Sequence, residues 1–343
     1  MTGSKLHRVA VVGATGYSGA ELVRLLARHP NVRLEVVTSE QAAGRSLGEV
    51  HRTLAFTGLN LEPVDAEAIA QRVDFAFTAL PHGASTAVVA TLVERGVRVI
   101  DIGADFRFRD VPLYEKWYGK HAAPALVAEA VYGLTEYARE QVAGARLVAN
   151  PGCYPTSALM ALLPLAAHIR GPVFVDSKSG TSGAGRAAKV DQLFAEVTEN
   201  IRPYGIGKHR HQPEIASQLS ATAGASRPVV FSPHLLPIAR GLLSTCYADV
   251  HADVDVAGLF RERYAREPFV RILEDGAMPE PRAVRGTNMV EIAWVREAET
   301  GRVVVVAAID NLGKGAAGQA VQNFNCMIGV TETTGLELLP ALP

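Results

Sequence analysis

The sequence predicts a two-domain α/β chain, a parallel-sheet domain followed by an α+β domain on a mixed or antiparallel sheet. Three observations carry that expectation. Apolar strands alternate with helical segments through the first 150 residues, a glycine turn joins the first strand to the first helix, and from residue 172 strand-like runs follow one another mostly without a helix between them. The 343 residues, 48% hydrophobic and 20% charged, suffice for packed cores and are not a disordered composition. Lys+Arg number 34 and Asp+Glu 35, a formal net charge of -1, so the basic footprint of a dedicated nucleic-acid binder is missing.

Taken in order, Arg8 to Val12 reads as a strand, and Tyr17 to Arg28 as a helix with Leu22, Val23, Leu25 and Leu26 at helical spacing, stopped by His29-Pro30. Strands follow at Val32 to Thr38, Val73 to Leu80, Val97 to Ile100 and Arg146 to Ala149, with helical patches at Ala66 to Gln71 and Ser85 to Glu94. Asn150-Pro151-Gly152 breaks the pattern and sets the domain boundary, giving 1–150 and 151–312. In the second part Pro172 to Ser177, Pro228 to Leu236, Leu242 to Val250, Met289 to Val295 and Val303 to Ile309 read as strands. Gly315 to Met327 reads as a final helix with Ala317, Ala320, Val321 and Phe324 on one face.

The most apolar stretch, Ser157 to Ile169, is interrupted by Pro164 and His168, which argues against a membrane span. The chain enters VAVVGATG almost at once, without a signal-peptide pattern. Three cysteines, Cys153, Cys246 and Cys326, cannot close a disulfide framework and suit a reducing cytoplasm.

Between the first strand and helix lies GATGYSG, Gly13 to Gly19, spaced G-x-x-G-x-x-G. Gly13, Gly16 and Gly19 let the backbone turn tightly and approach a pyrophosphate, whose charge the N–H groups and dipole of the next helix offset. Thr15, Tyr17 and Ser18 add hydroxyl donors. A packing turn alone would use the same glycines; the position after a first strand favours a dinucleotide. At the end of the second strand, where an acid would bind a ribose 2′-OH, stand Thr38 and Ser39, with Arg45 nearby. Small hydroxyls and a guanidinium suit a 2′-phosphate, so NADP(H) is expected, although Glu40 opposes it. Leu80, Pro81 and His82, at the end of a strand, are expected to line the cofactor site.

In Asn150-Pro151-Gly152-Cys153-Tyr154-Pro155-Thr156-Ser157, Pro155 fits a first helical turn and Thr156-Ser157 a helix start. Cys153 would then meet unpaired N–H groups that favour thiolate, a nucleophile toward acyl groups. Cys246 in an apolar strand and Cys326 in the last helix look like ordinary buried cysteines. His209 and His211 stand two apart in GKHRHQPEI, before a helix at Pro213-Glu214, and in extended chain their rings would project to one side. One could serve Cys153 as acid/base and the other bind an anionic substrate. A metal site would need a third ligand, and none stands at ligand spacing, so no metal is expected. The loop SKSGTSGAGR leads toward a helix, and its Ser182 and Gly183 are cofactor candidates, as is Asn311 in DNLGKG. Arg107 in ADFR, Asn150, and Arg240 in PIARGL are candidates for substrate binding.

GATGYSGAEL, ALPHG, ADFR, NPGCYPT, SGTSGAGR, HRHQPEI, PIARGL and NLGKGAAGQAVQN occur in the order seen in the N-acetyl-gamma-glutamyl-phosphate reductases, and the chain resembles that family over nearly its whole length. Aspartate-semialdehyde dehydrogenases are more distant relatives that share a catalytic cysteine but typically not HRHQPEI. The resemblance implies a Rossmann domain, a second domain carrying dimer or tetramer contacts, and a C-terminal segment, 313–343, returning to the cofactor domain. It implies NADPH-dependent reduction of N-acetyl-γ-glutamyl phosphate to N-acetylglutamate 5-semialdehyde in arginine biosynthesis, with Cys153 as nucleophile, His211 as acid/base and His209 nearer the substrate. Glu40 departs from the basic residue relatives often carry there. An acyl-phosphate reductase for aspartyl or carrier-held aminoadipyl phosphate, and a turnover-free redox sensor, are the rival readings; the sensor has no use for paired histidines.

Overall fold

The structure is a computed structural model and describes residues 5–274 and 276–340. The chain forms two compact units, one made of the chain up to Pro151 with Ala316–Glu337, the other of Gly152–Gly315 with the chain from Leu338. Among the described residues no helix is long and apolar enough to cross a membrane.

The first unit contains seven strands: β1 (His7–Val12), β2 (Val32–Thr38), β3 (Leu61–Glu62), β4 (Phe75–Thr78), β5 (Arg98–Asp101), β6 (Val131–Tyr132) and β7 (Leu147–Ala149). They lie in the order β3-β2-β1-β4-β5-β7-β6, with every pairing parallel. All four residues of β4 are buried, as in a sheet covered on both faces, and helices such as Tyr17–Leu26 and Ser85–Glu94 connect the strands. The order reverses at β1, which sits between β2 and β4. Ligands bind outside the carboxyl ends of the strands at such a switch point. Thr38, Thr78, Asp101 and Ala149 end their strands on that edge.

The last helix, Gly318–Ile328, belongs to this unit and is buried almost all round, not on one face as its apolar spacing predicts. Most of its polar side-chain atoms are paired within the unit: Gln322 donates to Glu136, Asn323 to the Gly133 carbonyl, and Asn325 pairs with His29. Burying an amide without such partners would cost about 1–3 kcal/mol each. Phe324 meets Phe75 edge-on at 5.0 Å, beside His29 and Phe77. Truncating so enclosed a ring to alanine typically costs about 3–5 kcal/mol. The turn entering this helix, Gly313–Ala317, is a π-helical turn.

The second unit carries β8 (Ile169–Gly180), β9 (Arg202–Pro203), β10 (Val229–Leu236), β11 (Leu242–Val250), β12 (Val270–Ile272), β13 (Val290–Arg296) and β14 (Val303–Ile309). Their order is β12-β13-β14-β11-β8-β10-β9, and the sheet is mixed, with β8–β10 and β12–β13 parallel and the other pairs antiparallel. Burial alternates along β10 and β11, so one face is covered and one is open. Helices Cys153–Leu162 and His211–Ala223 pack on the covered side and on each other.

The short strands β3, β6, β9 and β12 have too few residues for a periodic signal, and the sequence reading missed them. The glycine loop after β8 does not lead directly into a helix. It closes in a single 3-10 turn, Thr181–Ala184, because Gly185 at φ +86 takes the chain out of helical space.

Candidate active site

In the first unit, the loop after β1 is a turn that only glycine can make. Gly13 has φ +90, and a Cβ there would lie 2.6 Å from the Ala79 carbonyl oxygen; one on Gly19 would lie 2.1 Å from the Gly13 oxygen. The helix therefore starts pressed against the strand that feeds it. Its N-cap, Gly16, has no side chain to cover the first-turn N–H groups, and Tyr17 and Ser18 open the helix. The turn is braced from β2: Gly13 N–H donates to Thr38 Oγ1 at 3.2 Å, and the Thr15 and Ser39 hydroxyls lie 3.0 Å apart.

The residues present fit a phosphorylated dinucleotide. Bare helix N–H groups behind a glycine turn suit a pyrophosphate. At the end of β2, Glu40 does not face that edge as a free acid, since its carboxylate accepts the Val64 N–H at 2.7 Å. The Arg45 guanidinium bonds Glu49 at 3.2 Å and is more than half exposed, so it keeps surface for another anion. Leu80 lies close enough that a Gly13 Cβ would meet it at 3.2 Å. Pro81 and His82 are exposed, and the His82 ring packs edge-on against Tyr118 at 5.3 Å.

After β5 the chain is held by buried carboxylates. Asp105 accepts hydrogen bonds from Ser85, Thr86, Tyr114 and the Gly83 N–H. Burial alone pushes its carboxyl up, but those bonds outweigh it and hold it below its ordinary value. Among the described residues Asp101 accepts from Thr78 and the Gly103 N–H alone, both at Oδ1, and burial pushes it up to about 6. Arg107 is 4% exposed and donates to the Ile102 and Asn150 carbonyls, at 2.8 Å each. Asn150 is fully buried, donating to the Ala316 carbonyl and accepting from Asn323. Both residues thus stabilise the chain at the carboxyl edge.

In the second unit Cys153 is the first residue of helix Cys153–Leu162, with Gly152 as N-cap. The first-turn N–H groups have no acceptor within the helix, and they favour a thiolate and a developing oxyanion. Gly315 packs directly on it: a Cβ there would come within 2.8 Å of the Cys153 Cβ. The Gly152 N–H donates to Glu214 at 2.9 Å, and Glu214 lies one turn along the helix that begins with His211. That bond ties the start of the cysteine helix to the histidine helix.

The two histidines are together, but not by the geometry expected of an extended chain. His211 is the first residue of a helix and His209 lies in the turn before it, so alternation does not apply. Their ring centroids are 4.9 Å apart, because the His211 N–H turns back to His209 Nδ1 at 3.1 Å. Tyr154, next to Cys153, lies 5.6 Å from the His209 ring and 5.8 Å from the His211 ring. The Tyr154 and Tyr204 hydroxyls are 2.9 Å apart, and burial pushes both phenols above their ordinary value, which keeps them neutral.

Arg240 forms an ion pair with the fully buried Asp310, Nη2 to Oδ1 at 2.8 Å. Asn311 accepts the Gly241 N–H at 2.8 Å and donates to the Ser182 hydroxyl at 2.8 Å; Gly183 is exposed beside it. Sequence reasoning did not single out Glu214, Tyr204 or Asp105. Neither Glu214 nor Tyr204 carries a local signal for these contacts, since their partners Gly152 and Tyr154 lie 50 or more positions earlier. Among the described residues no group of three or more His, Cys, Asp or Glu could hold a metal ion.

Two family models match the chain: semialdehyde dehydrogenase, NAD binding domain, over residues 8–145, and semialdehyde dehydrogenase, dimerisation domain, over residues 153–311. N-acetyl-gamma-glutamyl-phosphate reductases of Geobacter metallireducens and Laribacter hongkongensis are 51% and 50% identical to it, each covering 98% of this chain and 99% of the relative. Among solved structures, aspartate semialdehyde dehydrogenase II from Vibrio cholerae, complexed with ASA, superposes with a TM-score of 0.74 at 18% identity. It covers 95% of this chain and 99% of that one. The aspartate semialdehyde dehydrogenase with NADP from Candida albicans gives 0.67 at 14% identity, covering 94% and 99%. At such identities these two show the fold alone.

Proposed function

The chain belongs to the N-acetyl-gamma-glutamyl-phosphate reductase family, and we propose from it that the chain reduces N-acetyl-γ-glutamyl phosphate to N-acetylglutamate 5-semialdehyde, with release of phosphate, in arginine biosynthesis. The observation that carries the chemistry is the Gly152–Glu214 hydrogen bond, which holds the first turn of the Cys153 helix beside the helix headed by His211. His211 takes the thiol proton, and the Cys153 sulfur attacks the acyl carbon. The oxyanion that forms faces the helix-start N–H groups and collapses; the carbon–oxygen bond to phosphate breaks, its electron pair leaves with phosphate, and a thioester remains. NADPH, when bound, supplies the hydride that the thioester carbon accepts. His211 protonates the resulting thiohemiacetal oxyanion on Cys153 and recovers that proton as the carbon–sulfur bond breaks, releasing the aldehyde.

The division of labour we read is cofactor binding by 1–150, chemistry and assembly by 151–312, and support of the cofactor domain by 313–343; residues 1–4, 275 and 341–343 lie outside the described ones. In the first part Gly13, Thr15, Gly16, Tyr17, Ser18 and Gly19 take the pyrophosphate side, Ser39 and Arg45 the 2′-phosphate. Leu80, Pro81, His82, Ser182, Gly183 and Asn311 complete the cofactor contacts. Arg107, Asn150 and Arg240 are the substrate-binding residues, with Arg240 as the clamp. Three cysteines outside any disulfide suit a cytoplasmic enzyme. The test is the reverse reaction: N-acetylglutamate semialdehyde, NADP and phosphate are expected to yield NADPH only when all three are present. Turnover with aspartate semialdehyde instead would sink the substrate assignment.

Assembly into a homodimer or homotetramer is supported by the open face of the mixed sheet. Val230, Phe174, Tyr247, Val304 and Val295 are register partners on five neighbouring strands and form one apolar row across it. Four of them are 37–46% exposed, more apolar surface than a lone sheet face normally leaves in water. A second copy placed on this row would cover it. The Phe174→Glu, Tyr247→Glu double variant is therefore expected to sediment as a monomer, because burying two unpaired carboxylates costs several kcal/mol, of the order of 3–5. An unchanged mass would put the contact elsewhere.

A further inference from the structure

We propose that His209 is a permanently neutral hydrogen-bond donor, with Nδ1 fixed as an acceptor and Nε2–H offered to the acyl oxygen of the substrate, so that proton transfer falls to His211 alone. The role, though not the tautomer, rests on the reading of Cys153 and His211 as the reacting pair. The first support is geometric. The His211 N–H donates to His209 Nδ1 at 3.1 Å, and a nitrogen that accepts an N–H cannot itself carry a proton. A neutral imidazole then holds its proton on Nε2.

The bond also matters to the fold. Arg210, the N-cap of the His211 helix, makes no side-chain cap, so His209 Nδ1 satisfies a helix-start donor that would otherwise go unpaired. Protonating Nδ1 would break that bond and set two N–H groups against each other.

The surroundings oppose a cation as well. The His209 ring is packed edge-on by Phe231 at 5.2 Å, Tyr204 at 5.4 Å and Tyr154 at 5.6 Å, with Gly205 against its Cδ2 side. The titratable groups whose rings pack on it are those two tyrosines and His211, with Arg210 next in sequence and the Cys153 thiol acting on both tyrosines, and no carboxylate is among these neighbours. Burial first, then the Arg210 charge, pushes the imidazole down to about 4. Among the described residues Nε2 has no hydrogen-bond partner, which leaves its proton for a ligand. A neutral donor suits the acyl oxygen, whose charge grows in the transition state, and it consumes no proton that must later be returned.

The test uses the full-length protein labelled with 15N-histidine, its ring signals assigned through His209→Gln and His211→Gln. From pH 5.5 to 8.5 the His209 ring is expected to keep one Nε2–H pattern without moving. Kinetically, His209→Gln retains an N–H donor and is expected within about 10-fold of the parent in kcat, and His209→Leu about 10²–10³-fold below it. Both should keep the parent pH profile, while His211→Gln should lose one limb of it. A His209 ring that titrates with a midpoint above pH 6, an Nδ1–H pattern, or a displaced limb in His209→Gln would overturn the proposal. The ring spectra need no substrate, so they stand or fall separately from the assigned reaction.

Discussion

Cys153→Ser is expected to bind NADPH like the parent and to lose at least about 10³-fold in turnover. The exchange replaces one atom, so Gly315 still packs on the Cys153 Cβ and the Gly152–Glu214 bond is untouched. What changes is chemistry. A serine hydroxyl is far less acidic than a thiol, and the N–H groups of one helix start offset only about 0.3–1 kcal/mol of that difference. Any acyl-serine formed would also be an oxygen ester, a poorer hydride acceptor than a thioester. The measurement is the phosphate released in a single turnover beside NADPH binding by fluorescence. Phosphate release at the parent rate would sink the nucleophile assignment. Cys246 is the control. It lies fully buried in β11, and burial pushes its thiol up, so it stays protonated and inert. Cys246→Ala should cost stability and leave the reaction alone.

The contrast between the cysteines was legible because a reactive thiol needs a particular neighbourhood that leaves a local trace. Turn residues flank Cys153, and a periodic apolar strand flanks Cys246. The long strands were legible for the same reason: Val32–Thr38, Leu242–Val250 and Val303–Ile309 fall where the apolar pattern puts them. Patterns failed where two geometries share one spacing. His209 and His211 stand two apart, which suits a strand, yet the chain there is a turn entering a helix, and a backbone bond, not alternation, brings the rings together. They failed again where burial comes from partners far along the chain. Nothing local marks Gln322 and Asn323 as buried residues, since Glu136 and Gly133, which satisfy them, lie nearly 190 positions earlier. The Arg107 guanidinium likewise has partners that no local pattern announces, the carbonyls of Ile102 and Asn150.

Asp310→Ala is expected to destabilise the protein by about 3–5 kcal/mol, the cost of leaving a charge without its buried partner. Asp310 is fully buried and accepts from Arg240 Nη2 at 2.8 Å and from the N–H groups of Gly286, Leu312 and Gly313 at 2.7, 2.9 and 2.7 Å. Alanine strands all four donors at once. Arg240→Ala should cost less, because Asp310 then keeps three N–H groups and the guanidinium it loses was partly exposed. If the stranded cation is the larger part of the penalty, adding Arg240→Ala to Asp310→Ala should recover stability. A double-mutant cycle of urea midpoints reads that coupling directly. The functional consequence follows from Asn311, the next residue, whose side chain joins Gly241 to Ser182. Asp310 and Asn311 together fasten the Arg240 turn and the Ser182 turn to the end of β14. Loss of the carboxylate should therefore disturb the proposed substrate clamp and a proposed cofactor contact in one step. Asp310→Asn keeps an oxygen for Leu312 and Gly313 but not the charge, so it should hold the fold better than alanine while raising KM through a loosened Arg240. An asparagine variant with the parent KM would show that Arg240 does not clamp the substrate. An alanine variant within about 1 kcal/mol of the parent would mean that water replaces the lost acceptor.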